Sequence, residues 1–336
     1  MADYPTPFIS VIVPFYNIKA CVGYCLDSLL AQDYEGDYEV LCVDDGSTDG
    51  TSEELDDRSK LSQRLRVFHK ANGGQSSARN YGVERSAAEY VSFVDGDDVV
   101  SPYYLSSLAR GLDSEGDVLV IGAHQVTKSS KVSKISWLRP NNFVHMTCSE
   151  SLREIAYMRI SDSACGRLAP RSLYQDNQFP EGVIYEDTFV AARHVVSGAF
   201  VTYVNQPIYG YVMREGSTIH PKAESLKRCF QYIEAIDEFC KGLNIFFSEE
   251  SDEQVLFRAI SYSRLWRRLD IVKDCPTEAA ECQHEIQAYV GRHLKQLLRC
   301  TAVSEGNKLR LLLLSKYPSL YRYAFRIYDR LARGVA

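Results

Sequence analysis

The sequence has 336 residues, with 38 Lys or Arg against 44 Asp or Glu, and a formal net charge of −6. This length allows one large domain with an extension, and the negative charge argues against nucleic-acid binding as the main task. The 10 cysteines are scattered, without a Cys-x-x-Cys or Cys/His cluster. Scattered cysteines indicate buried thiols, not a disulfide framework or a zinc site.

Two absences bear on cellular location. Residues 1–5 have neither a basic region nor an apolar signal segment. The sequence contains no run of about 18 apolar residues, which a transmembrane helix would need. We therefore expect a cytoplasmic protein.

The first hundred residues alternate between strand and helix patterns. Apolar, β-branched runs predict four strands, and amphipathic or polar stretches between them predict three helices, the last over about 75–87. This alternation predicts an α/β fold with a mostly parallel sheet and right-handed crossovers. The four predicted strands cover residues 9–13, 38–43, 65–69 and 91–94, and the first is stopped by Pro14.

The pattern is less regular after residue 100. Ser101 with Pro102 predicts a helix start, with Ser as N-cap and Pro at the first helical position. A strand is expected over 117–126, and a helix capped by Ser149 runs through Met158. Residues 200–212 predict one or two strands, broken at Pro207.

Helical periodicity dominates from about residue 222. We therefore place a boundary that gives a catalytic domain over 1–219 and a helical C-terminal extension over 220–336. The helices predicted in the extension cover about 222–242, 252–272, 277–299 and 307–333.

The fourth predicted strand ends in an unusual concentration of acid. Asp95, Asp97 and Asp98 fall within four residues, directly after an apolar run. Carboxylates at the end of a strand favour Mg²⁺ or Mn²⁺ bound together with a substrate phosphate. The alternative is a solvated acidic turn that only ends the strand.

Two other predicted strands also end in polar residues. The first is followed by Tyr16 and Asn17, and the second by Asp44 and Asp45. Ligands of open parallel sheets bind beyond the carboxyl ends of the strands. These strand ends therefore predict one common crevice.

The motifs at these strand ends carry a resemblance to a known family. They fall in family order and with family spacing over about the first hundred residues, and the chain resembles the family 2 glycosyltransferases. The resemblance implies a GT-A (Rossmann-like) fold and a nucleotide-sugar donor. The motifs are Val11-Ile12-Val13-Pro14-Phe15-Tyr16-Asn17, Val43-Asp44-Asp45-Gly46-Ser47-Thr48-Asp49, Asn72-Gly73-Gly74 with Ala78-Arg79-Asn80-Tyr81-Gly82, Phe93-Val94-Asp95-Gly96-Asp97-Asp98, and the shorter Glu186-Asp187.

The resemblance assigns donor-binding residues. Asp45 is expected at the uracil base, where a carboxylate can accept from a ring N–H, and Tyr16 is expected to stack on it. Arg79 is expected to reach the base or the diphosphate, with an ion pair to a carboxylate as the alternative. Arg214 and Ser217 are expected in a loop that closes over the diphosphate. The full donor-binding set is Pro14, Tyr16, Asn17, Asp45, Gly74, Arg79, Asp95, Arg214 and Ser217.

The resemblance also implies the metal ligands and the catalytic base. Asp97 is the residue expected to contact Mn²⁺ or Mg²⁺ directly, and Asp95 to contact the ribose or a metal-bound water. Asp98 either ligates the ion or accepts hydrogen bonds from backbone amides. His220 either completes the metal shell or is a surface histidine.

Asp187 matches the catalytic base of the family. The alternative is an acidic helix start, because acids favour a helix N-terminus. Glu186 is expected to orient a neighbouring group. Asp44, Ser47 and Asp49 have structural interpretations as residues of a turn.

These patterns predict an inverting, metal-dependent glycosyltransferase that uses a UDP-sugar and acts in cell-surface glycan biosynthesis. The expected acceptor is a glycan or a lipid-linked oligosaccharide. Residues 165–167 (Cys-Gly-Arg) depart from the family's acceptor-side segment, so the acceptor stays open. One alternative is a catalytically silent, sugar-nucleotide-binding scaffold. A nucleotidyltransferase is disfavoured because residues 16–19 (Tyr-Asn-Ile-Lys) stand where it needs a Gly-rich, basic loop.

The C-terminal segment 308–333 mixes Leu, Tyr and Phe with seven basic residues. Such a segment either lies on the inner face of an anionic membrane as a peripheral contact or packs as helices with a basic outer face. Pro318 divides the segment in both interpretations.

Overall fold

The computed structural model describes residues 8–112, 118–198, 200–213 and 224–332, without the side chains of Val118, Arg326 and residues 328–332. It contains two compact units. The first unit comprises Met1–Leu152 and Ile160–Ser217, and the second comprises Arg153–Arg159 and Thr218–Ala336.

Within the described residues, a nine-stranded mixed sheet forms the core of the first unit, and the fold is α/β. Eight strands follow one another in the order β3-β2-β1-β4-β8-β6-β9-β5, and β7 pairs with β9. The strands are β1 (Ile9–Phe15), β2 (Tyr38–Asp44), β3 (Leu65–His69), β4 (Tyr90–Phe93), β5 (Val99–Val100), β6 (Val118–Lys128), β7 (Phe143–Thr147), β8 (Arg167–Pro170) and β9 (Phe200–Met213).

The described helices up to residue 197 connect and flank these strands. They are α1 (Lys19–Leu30), α2 (Thr51–Ser59), α3 (Gln75–Arg85), α4 (Tyr104–Gly111), α5 (Cys148–Ala156), α6 (Arg171–Asp176) and α7 (Glu186–Ser197), with a short 3₁₀ helix over Ser129–Lys134. The apolar side of α1 is buried at Val22, Cys25, Leu26 and Leu29, which is the spacing expected for a helix that covers a sheet.

The four strands predicted from the first hundred residues pair in parallel, in the order β3-β2-β1-β4. Every residue of β1 and β2 is buried, as expected for strands covered on both faces. Phe15 lies opposite Asp44 in the register, and the amide of Asp45 donates to the carbonyl of Phe15 at 2.9 Å. The carboxyl ends of β1 and β2 therefore meet at one edge.

Gly96 permits a close approach between the acidic turn after β4 and the end of β1. A Cβ atom at this position would lie 2.6 Å from the ring of Phe15 and 2.8 Å from the carbonyl oxygen of Pro14. Only a residue without a side chain fits there, so the glycine fixes how near the aspartates come to the neighbouring strand.

One predicted helix start was wrong, and two expectations about prolines were confirmed. The helix expected at Ser101-Pro102 begins at Tyr104, because the Ser101 hydroxyl accepts from the amide of Tyr103 within a turn that precedes the helix. Residues 200–213 form a single strand, one of the two expected arrangements, and its pairing with β6 shifts register near Pro207, since proline has no N–H to donate. The C-terminal stretch contains two helices, Glu305–Lys316 and Pro318–Ala332, as the division at Pro318 predicted.

The second unit is helical. Its helices pack through aromatic contacts, including stacked rings of Phe239 and Phe257 with centroids 4.1 Å apart. Ser225, Ser251 and Ser304 cap three of the helices, since each hydroxyl accepts from a backbone amide of the first turn. The helices are α8 (Leu226–Leu243), α9 (Asp252–Leu269), α10 (Pro276–Arg299), α11 (Glu305–Lys316) and α12 (Pro318–Ala332).

Among the described residues, no helix combines the length and apolar composition needed to span a bilayer.

Candidate active site

The acidic turn after β4 brings three carboxylates together. One oxygen each from Asp95, Asp97 and Asp98 lies within 4.8 Å of the others. Asp95 and Asp97 are partly exposed, whereas Asp98 is buried. Three oxygen donors at this separation suit a hard divalent cation, which prefers carboxylate ligands.

Asp98 is also bound to the protein through both of its oxygens. Its Oδ1 accepts from the amide of Val212 at 2.7 Å, and its Oδ2 accepts from the hydroxyl of Tyr209 at 2.6 Å. Burial, together with repulsion from Asp95 and Asp97, raises the pKa of Asp98 well above its usual range. Of the two roles expected for Asp98, the hydrogen bond to a backbone amide is therefore present.

Arg79 connects the acidic turn to the Glu186-Asp187 motif. Its guanidinium is fully buried and forms three ion pairs. Nη2 donates to Asp95 Oδ1 at 3.0 Å, and Nη1 donates to Glu186 Oε1 at 2.9 Å and to Asp187 Oδ1 at 2.6 Å. The alternative given for Arg79, an ion pair with a carboxylate, is thus what the structure contains, and its contact with a donor stays a prediction.

Glu186 and Asp187 begin helix α7, but their environments differ. The Glu186 side chain is 11% exposed and that of Asp187 is 23% exposed. Burial and the nearby Asp187 charge raise the pKa of Glu186 to about 7, although Arg79 opposes the shift. Asp187 Oδ2 accepts from the Ser163 hydroxyl at 3.1 Å. Asp187 is therefore the more accessible carboxylate of the pair, and both of its oxygens are oriented.

Asp45 holds the Gly-rich loop that precedes α3. Its carboxylate accepts from the amides of Gly73 at 3.0 Å and Gly74 at 2.7 Å, and from Lys70 Nζ at 2.6 Å. Gly74 has φ +87°, a left-handed backbone that glycine adopts without strain. Asp45 therefore fixes the loop beside the crevice, and its contact with a uracil base stays a prediction.

Asp44 has the structural role in the turn that was expected for it. It accepts from the amide of Ser47 at 3.0 Å, from the Ser52 hydroxyl at 2.6 Å, and pairs with His69 at 2.9 Å. Burial disfavours its charged form, but these hydrogen bonds outweigh burial and lower the pKa of Asp44.

The remaining donor-side residues of β1 lie at the expected strand end. Pro14 is buried within β1, and Tyr16, directly after the strand, is 50% exposed. Asn17 has φ 51° and its Oδ1 accepts from the amide of Thr48 at 2.8 Å. An exposed ring at the edge of the crevice is available for stacking. Arg214, Gly216, Ser217 and His220 lie outside the described residues.

The segment 165–167 lies against the site from the side of β8. Cys165 Sγ accepts from Arg79 Nη2 at 3.7 Å. Arg167 is fully buried, and its Nη2 donates to the carbonyl of Ser161 at 3.1 Å. Burial lowers the pKa of Arg167. Arg167 is therefore part of the buried core of the first unit.

Four residues that contact the site were not identified from the sequence. Gln75 donates to Asp95 Oδ1 at 2.8 Å, and Ser163, Tyr209 and Lys70 contact Asp187, Asp98 and Asp45 as described above. Gln75 directly follows the Gly-rich motif and could have been included with it. Ser163 and Tyr209 reach the site only through tertiary packing, and no local pattern marks them.

Comparisons with known proteins identify part of this chain. Residues 10–167, just under half of the chain, match the model of the glycosyl transferase family 2. This part of the chain therefore belongs to that family.

The chain is also similar to bacterial proteins named as glycosyltransferases. Over 216 residues the chain is 30% identical to glycosyltransferase GlyA of Streptococcus pneumoniae, covering 62% of this chain but only 31% of GlyA. It is 47% identical to EpsJ of Bacillus subtilis over 95 residues, which is 28% of this chain and 27% of EpsJ. The chain thus spans less than a third of the length of these two relatives.

Two solved glycosyltransferases share the fold. TarS of S. aureus in complex with UDP-GlcNAc aligns over 96% of this chain and 91% of its own, with a TM-score of 0.59 and 21% identity. The mannosyltransferase PcManGT of Pyrobaculum calidifontis, in complex with GDP-Man and Mn²⁺, aligns over 95% and 88%, with a TM-score of 0.51 and 17% identity.

The Arg79 ion pairs predict a large effect on stability. Arg79→Gln leaves three carboxylates near one another without their cation, and breaking a buried ion pair costs about 3–5 kcal/mol. We expect the urea midpoint of unfolding to fall accordingly. The urea midpoint of Arg79→Lys should lie between those of the wild type and Arg79→Gln, because lysine keeps the charge but not the planar fork.

Arg85→Gln is the matched control, since Arg85 lies on the same helix and pairs with Glu84 at 3.5 Å near the surface. We expect a change below about 1 kcal/mol for it. Equal midpoints for Arg79→Gln and Arg85→Gln would contradict a structural role for the buried guanidinium.

Proposed function

We propose that this chain is an inverting, metal-dependent glycosyltransferase that moves a sugar from a UDP-sugar to a hydroxyl group of a glycan or lipid-linked oligosaccharide, in cell-surface glycan biosynthesis. The observation that carries the proposal is the Arg79 junction. One guanidinium contacts Asp95 of the acidic turn and Asp187 of the base motif. A group at the leaving diphosphate and a group at the acceptor hydroxyl are thereby close enough to act on one substrate.

A uracil nucleotide is the donor that the strand ends favour. The Asp45 carboxylate offers an acceptor to a ring N–H, and the exposed Tyr16 ring offers a stacking surface. Gly74 lets the backbone approach the donor closely. TarS, which shares the fold, was solved with UDP-GlcNAc, and this supports a UDP-sugar here.

The acidic turn fits a divalent cation. The acidic turn and the base motif contain five carboxylates, Asp95, Asp97, Asp98, Glu186 and Asp187. Arg79 pairs with three of them, and the pKa of both Asp98 and Glu186 is raised. A site with this excess of negative charge is stabilised by a cation. Asp97 and Asp95 would hold Mn²⁺ or Mg²⁺, with Asp98 supporting them. When bound, the ion would neutralise charge on the leaving diphosphate.

Asp187 is proposed as the general base. Arg79 and Ser163 orient its two oxygens, and its side chain is partly exposed, as a group that meets an acceptor must be. The acceptor hydroxyl gives its proton to Asp187 while its oxygen bonds to the anomeric carbon. The bond from that carbon to the diphosphate breaks, and UDP leaves with the electron pair. Attack from the face opposite UDP inverts the anomeric configuration.

Asp97→Ala should remove the metal-dependent part of UDP binding while the protein stays folded. Loss of supporting groups around a metal lowers metal affinity by about 10–100-fold, and loss of a direct ligand should cost at least as much. UDP is titrated calorimetrically with and without Mn²⁺. Asp57→Ala, on the exposed surface of α2, is the control and should bind UDP as the wild type does. Equal Mn²⁺ dependence in Asp97→Ala and wild type would remove Asp97 from the metal site.

Asp187→Asn should lower turnover far more than donor affinity. Loss of a general base costs about 10²–10⁴-fold in rate, while UDP-sugar affinity should stay within a few-fold. UDP release is measured with a panel of UDP-sugars and Mn²⁺, with water as the acceptor. The best donor for the wild type is then used for the variant.

Glu186→Gln is the comparison for Asp187→Asn, because it loses a contact to the same Arg79 nitrogen without loss of the proposed base. A similar fall in rate for both variants would assign the effect to the ion pairs. A wild type that binds UDP-sugars and releases no UDP from any of them would instead support the silent scaffold.

A further inference from the structure

Helix α12 has one face packed against its own unit. Tyr321 is fully buried, and its hydroxyl donates to the carbonyl of Ser263 in α9 at 2.7 Å. Its ring meets Trp266 edge-on at 5.4 Å. Arg322 pairs with Asp270 at 2.8 Å. These contacts fix which side of α12 faces inward.

The opposite face of α12 is apolar and exposed. Leu320, Tyr323, Ala324 and Ile327 occupy positions i, i+3, i+4 and i+7, which form one stripe along a helix. Leu320 is 52% exposed, Tyr323 63% and Ile327 40%. In a soluble helix such a stripe normally faces the core, so this stripe marks an interaction surface.

The segment that carries this stripe is basic. Residues 304–336 contain seven Lys or Arg and two Asp or Glu, although the whole chain has a net charge of −6. Lys316, at the end of α11, is exposed. The segment therefore has an excess of positive charge.

We propose that the face of α12 formed by Leu320, Tyr323, Ala324 and Ile327 is a docking surface for an anionic phospholipid membrane. An amphipathic helix with aliphatic and aromatic residues on one face and basic residues beside it lies in the bilayer interface. Tyrosine suits this depth, because its ring is apolar and its hydroxyl remains hydrated. The excess of basic residues in this segment favours an anionic lipid surface over an uncharged one.

The inference goes beyond the proposed reaction and does not rest on it. The docking surface belongs to the second unit and contains none of the site residues, so membrane binding and sugar transfer are lost separately. Loss of flotation with retained UDP release would concern the surface alone.

Vesicle flotation of the full chain tests the docking surface. Phosphatidylcholine vesicles with and without phosphatidylglycerol are compared, and the wild type should float only with the anionic ones. Insertion of a Leu or Ile side chain contributes up to about tenfold in partition. The triple variant Leu320→Ser, Tyr323→Ser, Ile327→Ser should therefore lose at least about tenfold in binding.

Leu61→Ser with Leu138→Ser is the matched control, because both leucines are exposed, at 83% and 70%, in the first unit. It should float as the wild type does. Lys316→Gln should weaken binding by about fivefold, since a basic residue near an anionic surface contributes about 1 kcal/mol. If the triple variant does not fold, Tyr323→Ser alone is measured, with a smaller loss expected.

Three results would overturn the proposal. One is a wild type that does not float with anionic vesicles. Another is a folded triple variant that floats as well as the wild type. The third is a wild-type dimer in sedimentation that the triple variant converts to a monomer without any lipid binding, which would assign the face to a second copy of the chain.

Discussion

The buried guanidinium of Arg79 is the constraint on which the site depends. Burying an arginine is costly unless charged partners surround it, and here three carboxylates do so: Asp95, Glu186 and Asp187. These acids come from segments about 90 residues apart in sequence. The arginine can be buried only when both segments are in place, so the ion pairs couple formation of the acidic turn to placement of the base motif.

The residue after Arg79 strengthens this coupling. The Asn80 side chain donates to the carbonyl of Phe179 at 2.9 Å and accepts from the amide of Phe179 at 3.0 Å. This pair of hydrogen bonds mimics a strand pairing and holds the chain shortly before Glu186-Asp187. Two consecutive residues of α3 thus position the base motif, one through charge and one through backbone hydrogen bonds.

The sequence predicted the part of this arrangement that local patterns encode. Apolar runs identified the four parallel strands, and the topology of a parallel sheet implied that their polar ends would meet. The four-residue strand β8 and the two-residue strand β5 were missed, because so few residues show no periodicity. The roles of Asp98 and Arg79 depended on partners such as Tyr209 and Glu186, which are more than 100 residues away and leave no local signal.

The central claim is that the Arg79 junction supports inverting transfer with Asp187 as the base. The most direct measurement is the anomeric configuration of the product formed from an α-linked UDP-sugar and a simple alcohol acceptor, determined by proton NMR. Attack from the face opposite UDP predicts a β-linked product. An α-linked product would contradict the account, because it requires a retaining mechanism and a different role for Asp187.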